Sequence, residues 1–398
     1  MNKMAERAHP FAANFALSAN DSNVNITFDI DAYIIERNNQ NALLLLPVII
    51  VVGVLMLLGF VGNSLVCYVY NSPTIKKRKT TKRVFILTLA IFDILNCVLV
   101  MPFEIYDMRN QHYFQSTEVC KMFRFIETSL VLSSGFILLS VSIDRYVNLV
   151  QASKRIITPS RAKKLALFCV IVALTLSWPV LIFAGTEQFN ILKDGVDTNI
   201  TGTECTTFRN DYEGFMNDNI YNLVLIATFV SALITLIVIY ILIGLKLYRR
   251  RRGSVNKNGL MFLSSTSTST STSEGKSLTE GKPIRKNHVR KSSLGYAIRR
   301  SKPKVQGSTV MFYSVTVVFI LGFLPHLTVR TLKMLKMAFT ESHSFDDTEI
   351  IYNLLVRSYM INSAANPFIY SILNVRFRKD LIASFKRCFC LHRLRHGN

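Results

Sequence analysis

The sequence predicts an all-α membrane protein: a seven-transmembrane helix bundle with a short amphipathic helix on the membrane surface after the last span. Three observations predict it. Half of the 398 residues are apolar, and they gather in long unbroken runs rather than at helix or strand periods. There are seven such runs, too long for core strands and long enough to cross a bilayer. Basic residues crowd alternate connections between them, as Lys and Arg do on the cytosolic side of membranes.

The runs cover residues 43–70, 84–102, 125–143, 166–184, 220–245, 310–327 and 350–373. Lys76, Lys77, Arg78, Lys79, Lys82 and Arg83 lie between the first two, and Lys154, Arg155, Arg161, Lys163 and Lys164 between the third and fourth. Arg249 to Arg252 open the connection before the sixth, and Arg376, Arg378 and Lys379 follow the seventh. The intervening loops are acidic, with Glu187, Asp194, Asp197, Glu204, Asp211, Glu213 and Asp218 in one of them. This asymmetry predicts an extracellular amino terminus and a cytosolic carboxyl terminus. In a soluble chain a net charge of +22 would point to nucleic acid; beside a bilayer it is cytosolic-loop charge, and no nucleic-acid partner is expected.

Three segments stand apart from the spans of the bundle over residues 43–373. Residues 1–42 are expected to be an extracellular, disordered and glycosylated terminus, with acceptor patterns at Asn20 and Asn25; Asn199 is a third, in the acidic loop. No cleavable signal peptide is visible there, so the first span is expected to act as its own insertion signal. The cytosolic connection over residues 253–306 carries a Ser/Thr-only stretch at 264–273 and many basic residues, and is expected to be disordered. Ser254, Ser292 and Ser293 follow basic pairs, as basophilic kinases prefer, although a solvated linker with incidental serines has the same look. In residues 374–398, Phe377, Leu381, Ile382, Phe385 and Phe389 recur at helical spacing among basic residues, which predicts the surface helix. Cys388 and Cys390 at its end stand where palmitoylation occurs, or are ordinary cytosolic thiols.

Of the seven cysteines, Cys67, Cys97 and Cys169 lie within apolar runs and read as small packed hydrophobes. Cys120 precedes the third run, and 25 residues separate it from Arg145, about 37 Å of helix and a full crossing. Cys120 is therefore at the outer surface, where Cys205 is its one possible partner. Secretory chemistry should join them, tying the acidic loop to the third helix.

Ionisable groups within spans are costly unless paired or hydrated, so each is a candidate site residue. Asp93 lies in the second run, Glu127 and Asp144-Arg145 mark the two ends of the third, and Arg357, Asn362, Ser363 and Asn366 lie in the seventh. Gly62-Asn63 with Val66, Leu89 with Asp93, Asp144-Arg145-Tyr146, Trp178, and Asn366-Pro367-Phe368-Ile369-Tyr370 follow in order, each on the appropriate span and side. In these strings the chain resembles the rhodopsin-like (class A) G-protein-coupled receptors, over residues 43–390.

The resemblance implies a plasma-membrane receptor whose outer half binds a ligand and whose inner half opens to a heterotrimeric G protein, with arrestin and receptor kinases as further partners. Asp93, Ser134, Asn362, Ser363 and Asn366 would line a hydrated pocket for an allosteric sodium ion, with no other metal or cofactor. Arg145, held by Asp144, would be freed toward the G protein, joined by Tyr240 and Tyr370. Pro325 would kink the sixth helix, with Phe319 packed about one turn below it. The sequence departs from the pattern in four places. Phe323 stands for the usual tryptophan, Gly322 for a cysteine and Ala232 for a proline, and no carboxylate near Val305 is available to lock Arg145.

For the ligand, the acidic outer surface and long loop around Cys205 favour a peptide, as in the neuropeptide branch, loosely the cholecystokinin-like receptors through Met101-Pro102-Phe103 and Glu118-Val119-Cys120-Lys121. Glu104, Tyr106, Arg124, Glu127, His326, Arg330, Tyr352 and Val356 are the candidate ligand contacts; His326 alone could equally be packed. Glu127 lies about 10 Å inside Cys120. It either holds a ligand cation, which would make the chain a biogenic-amine receptor, or is neutralised internally by Arg357 or Arg124. Met360 stands where opsins carry the retinal lysine. A transporter is a lesser alternative, since no internal repeats or broken helix pairs are evident. No nucleophile, metal cluster or phosphate loop suggests an enzyme.

Overall fold

In the computed structural model, the described residues are 30–72, 80–150, 157–193, 196–207, 212–266, 306–334 and 346–395. They build the helical bundle. The first span is Leu46–Asn71, about 39 Å long. The second runs through Thr81–Leu95, a π-helical turn Asn96–Val100 and Met101–Arg109. The third is Thr117–Val150, and the fourth is Pro159–Ser177 with a short turn Val180–Phe183 beyond it. The fifth is Tyr212–Thr266 and the sixth Gln306–Met334. Six of these helices are long and apolar enough to cross a membrane.

The seventh span differs from the continuous run expected. It consists of Asp346–Val356, a 3-10 turn Ser358–Met360 and Ile361–Leu373. The break has visible causes. Arg357 turns inward to acidic partners, and Ser358 Oγ donates 2.7 Å to the Gly322 carbonyl of the sixth helix. Taken together, residues 346–373 still rise about 40 Å, enough to cross.

The third span is the axis of the bundle: 67% of its apolar window is buried, against 22% for the first, 28% for the fourth and 17% for the fifth. Those outer helices expose apolar residues in stripes at helical spacing, such as Ile50, Val54, Leu57 and Val61, or Leu167, Ile171 and Leu174. Apolar stripes this large suit hydrocarbon rather than water. Local chemistry sets the helix starts. Thr80 and Thr158 cap the second and fourth spans by accepting from the backbone N–H of Arg83 and Arg161, and Pro159 occupies the first helical turn.

The first and seventh spans touch through small residues. A Cβ on Gly62 would lie 2.7 Å from Pro367 Cγ, so only glycine allows this approach. Beside it, buried Asn63 donates 2.7 Å to the Ser363 carbonyl and 2.9 Å to that of Gly59. Thus Gly62, Asn63 and Pro367 form one contact.

The outer surface corrects one expectation. Residues 30–42 of the segment expected to be disordered belong to a helix, Ile30–Leu44, which leads into the first span through buried Leu45. It docks by asparagines. Asn38 donates to the Arg109 carbonyl at 2.9 Å and accepts from the His112 backbone N–H at 3.1 Å, while Asn41 Nδ2 reaches Gln111 Oε1 at 2.9 Å. Asn20 and Asn25 lie outside the described residues.

The acidic loop is an antiparallel hairpin, β1 Gly185–Lys193 and β2 Val196–Thr206, the one sheet among the described residues of an otherwise helical chain. Asn199 lies on its second strand. The hairpin is tied down at several points. Cys205 is disulfide-bonded to Cys120, with Cα atoms 5.6 Å apart, and the Phe114 N–H donates to the Thr203 carbonyl at 3.0 Å. Cys97 and Cys169 are buried and Cys67 is half-buried within the bundle.

On the inner side, the fifth helix runs on to Thr266, so the connection expected to be disordered from residue 253 begins as helix. Leu260, Met261 and Leu263 are good helix formers, and the helix stops once the Ser/Thr stretch, poor in helix propensity, begins. Ser292 and Ser293 lie outside the described residues. The surface helix is Val375–Arg395. Asn374 joins it to the bundle: its Oδ1 accepts from the Phe377 N–H and its Nδ2 donates to Tyr70 Oη at 3.0 Å. Phe377 is buried and stacks on Tyr70 at 5.8 Å. Cys388 and Cys390 fall within this helix.

Candidate functional site

Three polar levels are stacked through the bundle, and each depends on which residues the helical period turns inward. The outermost is a buried charge network. Glu104 and Asp107, three residues apart on the second span, face Arg124 and Glu127, three apart on the third. Arg124 pairs with Glu104, with Asp107 at 2.9 Å and with Glu127 at 3.0 Å. Arg357 reaches across from the seventh span, its Nε 2.8 Å from Glu104 Oε2 and its Nη2 3.3 Å from Asp107 Oδ2. The Nε contact is an ion pair without a well-aimed hydrogen bond. Asn353 and Tyr359 complete the set: Arg357 Nη1 donates to Asn353 Oδ1 at 2.6 Å, and Tyr359 Oη donates to Glu127 Oε1 at 2.9 Å.

All five charged groups are buried, at 2–8% exposure, which only mutual pairing makes tolerable. Of the two internal partners open to Glu127, Arg124 is the one realised; Arg357 serves Glu104 and Asp107 instead. Asp107, Asn353 and Tyr359 were not singled out from the sequence. The spacing of Glu104 and Asp107 on one helix face was the available signal for the first.

The other expected ligand contacts divide. His326 is buried, and its Nδ1 bonds the Val356 carbonyl, which the break in the seventh span has released from its helix. His326 and Val356 therefore serve the hinge between the sixth and seventh spans. Tyr106 is not brought to the network; it is 48% exposed and packs edge-on against Phe114 at 5.6 Å. Arg330, one turn outward of His326, and Tyr352, one turn before Val356, are half-buried.

Below this level lies a cavity whose walls include Asp93, Ser134, Asn362, Ser363 and Asn366, so the five residues expected to share a pocket do so. Asn366 Nδ2 donates to Asp93 Oδ2 at 2.8 Å, and Asn96 Nδ2 to Ser363 Oγ at 3.3 Å. Its outer wall includes Tyr359, the tyrosine bonded to Glu127, so one side chain touches both levels. Phe319 and Phe323 close it against the sixth helix, 4.5 Å apart. Phe323 is the centre of an aromatic cluster, with Phe229 at 5.4 Å, Tyr359 at 5.7 Å and His326 at 6.1 Å. A phenylalanine thus fills the tryptophan position without a polar handle. Pro325 sits inside the sixth helix, where it cannot donate to the Leu321 carbonyl.

The inner level centres on Arg145. Its guanidinium pairs with Asp144, which is fully buried and also accepts from Asn148 Nδ2 at 2.9 Å. The guanidinium carbon stands 5.2 Å over the Phe312 ring of the sixth helix. A cation–π contact to the sixth helix therefore exists where no carboxylate was found. Tyr240 Oη is 3.0 Å from Thr316 Oγ1, again on the sixth helix. Tyr370 is fully buried, its hydroxyl without a hydrogen-bond partner among the described residues, and Tyr146 is half-buried. Arg145, Tyr240 and Tyr370 are thus separately held.

Comparison with known proteins places this arrangement. The sequence pattern of the family described as "7 transmembrane receptor (rhodopsin family)" matches residues 62–370, more than three quarters of the chain. The chain is 26% identical to the Homo sapiens cholecystokinin receptor type A over 357 residues, covering 85% of this chain and 80% of that one. It is 24% identical to the Mus musculus neuromedin-U receptor 1 over 372 residues, covering 88% and 76%. It is 21% identical to the Mus musculus pyroglutamylated RF-amide peptide receptor over 340 residues, covering 84% and 68%. The spans, the disulfide at the head of the third helix, the mid-bundle polar cavity and the Asp144–Arg145 pair sit on the matched residues, and the chain belongs to the rhodopsin family of seven-transmembrane receptors.

Proposed function

We propose that this chain is a plasma-membrane receptor for an extracellular peptide, which binds in the outer half of the bundle and drives a heterotrimeric G protein at the inner face. The observation that carries the ligand class is the state of Glu127. In an amine receptor that carboxylate would be the ligand's counter-ion; here Arg124 and Tyr359 already satisfy it. The hairpin over the outer end, and relatives named for cholecystokinin, neuromedin U and an RF-amide peptide, support the same reading. Within the network three carboxylates face two guanidiniums, an excess of one negative charge that suits a basic or amidated peptide.

The amino terminus is extracellular in this reading, because Arg83, Arg161, Lys163, Lys164 and Arg249 gather at the end opposite Glu187 and Glu204. The oxygens of Asp93, Ser134, Asn362, Ser363 and Asn366 fit a hydrated sodium ion, being one carboxylate, two hydroxyls and two amides around a buried cavity. Both polar side-chain atoms of Asn362 are buried without a hydrogen-bond partner among the described residues, as a wet, ion-holding cavity would require. An ion held by these oxygens would neutralise Asp93 and favour the closed bundle. Receptor kinases and arrestin act on the cytosolic face.

Screening peptide and amine libraries against wild type and Glu127→Gln tests the ligand class. A peptide agonist should lose less than about tenfold in potency in the variant, its contacts being spread over a large surface. Activation by amines alone, abolished by Glu127→Gln, would overturn the peptide reading.

A further inference from the structure

The second span departs from α geometry only at the π turn Asn96–Val100, where the Met101 N–H bonds the Asn96 carbonyl five residues back. Such turns re-aim side chains and cluster at functional sites. The residue that opens the turn is Asn96, one turn outward from Asp93, 8% exposed and lining the same cavity. Its two polar atoms differ. Nδ2 donates to Ser363 Oγ at 3.3 Å, whereas Oδ1 is buried with no hydrogen-bond partner among the described residues. A buried carbonyl oxygen without a donor is costly unless a cation or water meets it.

The opposite wall has been cleared as well. A Cβ on Gly322 would stand 3.1 Å from both polar atoms of Asn362, so the glycine in place of a cysteine leaves room for that amide. Asn362 Oδ1 is likewise buried without a partner. Two acceptor oxygens therefore border the outer half of the cavity, beyond the Asp93 carboxylate.

Resting on the sodium reading above, we infer that Asn96 is an additional ligand for the cation, its Oδ1 binding the ion directly or through one water and drawing the site outward from Asp93 toward Tyr359. The Asn96 bond to Ser363 fixes the amide so that oxygen, not nitrogen, faces the cavity. Regular helix geometry places it there: the Asn96 N–H bonds the Phe92 and Asp93 carbonyls, so Asn96, three residues on, shares the inward face of Asp93.

Melting the purified full-length receptor in sodium chloride, with choline chloride holding ionic strength constant, tests this. A ligand that binds only the folded state raises the melting temperature in a saturable way, and the sodium midpoint reports affinity. Wild type should show such a midpoint, and Asp93→Asn should abolish it. Asn96→Leu, which keeps volume, and Asn96→Ala, which avoids overpacking, should each raise the midpoint about tenfold or more, the loss expected for a hydrogen-bonding group facing a charge. A purely structural Asn96 would shift the melting temperature in choline and leave the midpoint in place; that result overturns the proposal while the sodium reading stands. A wild-type receptor insensitive to sodium would overturn both.

Discussion

Replacing Phe312 by leucine removes the ring face on which Arg145 rests while keeping most of the packed volume. Phe312 is fully buried and the Arg145 side chain is 15% exposed, so the contact lies near the desolvated end of the cation–π range, about 1–2 kcal/mol. Arg145 Nε has no hydrogen-bond partner among the described residues, so no second bond to the sixth helix substitutes for the ring. In a two-state bundle this energy is lost only from the closed state, because Arg145 leaves the ring on opening. The closed-to-open ratio should fall about 5- to 30-fold. At matched surface expression, agonist-free second-messenger output should rise by a similar factor while the open fraction stays small. Phe312→Trp, which keeps an aromatic face, should leave basal output near wild type. If leucine and tryptophan give the same basal output, the ring is packing and not a latch, and the reasoning fails.

Other perturbations act through different contacts. Arg124→Met removes the cation paired with Glu127 and leaves Glu104 and Asp107 to share Arg357, and should cost about 3–5 kcal/mol, read as lost surface expression or a lower melting temperature. Arg124→Lys should not restore it, because a point charge cannot serve three carboxylates as a guanidinium fork does. Gly62→Ala places a methyl 2.7 Å from Pro367 and should lower stability by about 1–3 kcal/mol, measured by thermal melting. Asn38→Ala deletes two of the bonds that seat the outer helix on residues 109–112, and amide exchange across residues 32–44 should accelerate several-fold without a change in the spans.

The spans were legible because hydrocarbon leaves a chain few options: every crossing must be a long apolar helix, and its loops carry the side preference in their charges. The disulfide was legible for a simpler reason, as Cys120 and Cys205 were the two cysteines expected at the outer surface. Asp93, Asn362 and Asn366 stood out because amides and carboxylates are rare at that depth. What stayed hidden depends on distant partners. The outer helix around Asn38 exists through bonds to residues some seventy positions away, so its own polar composition looked unstructured. The break after Val356 is caused by Arg357 reaching Glu104 and Asp107, which a hydropathy run cannot register. Asp107 itself was passed over although it sits three residues from Glu104, where helical spacing alone puts both on one face. The choice between Arg124 and Arg357 for Glu127 needed the packing of three helices, whereas the i, i+3 spacing of Arg124 already favoured it.

The account stands or falls on whether an outside peptide reaches the G protein through Arg145. The direct measurement is agonist-driven cAMP and calcium signalling in cells expressing the wild-type chain beside Arg145→Ala at equal surface density. A peptide response in wild type that is lost in Arg145→Ala, while peptide binding persists, is the predicted result. Undiminished signalling in Arg145→Ala, or a wild type that answers to amines and to no peptide, would contradict it.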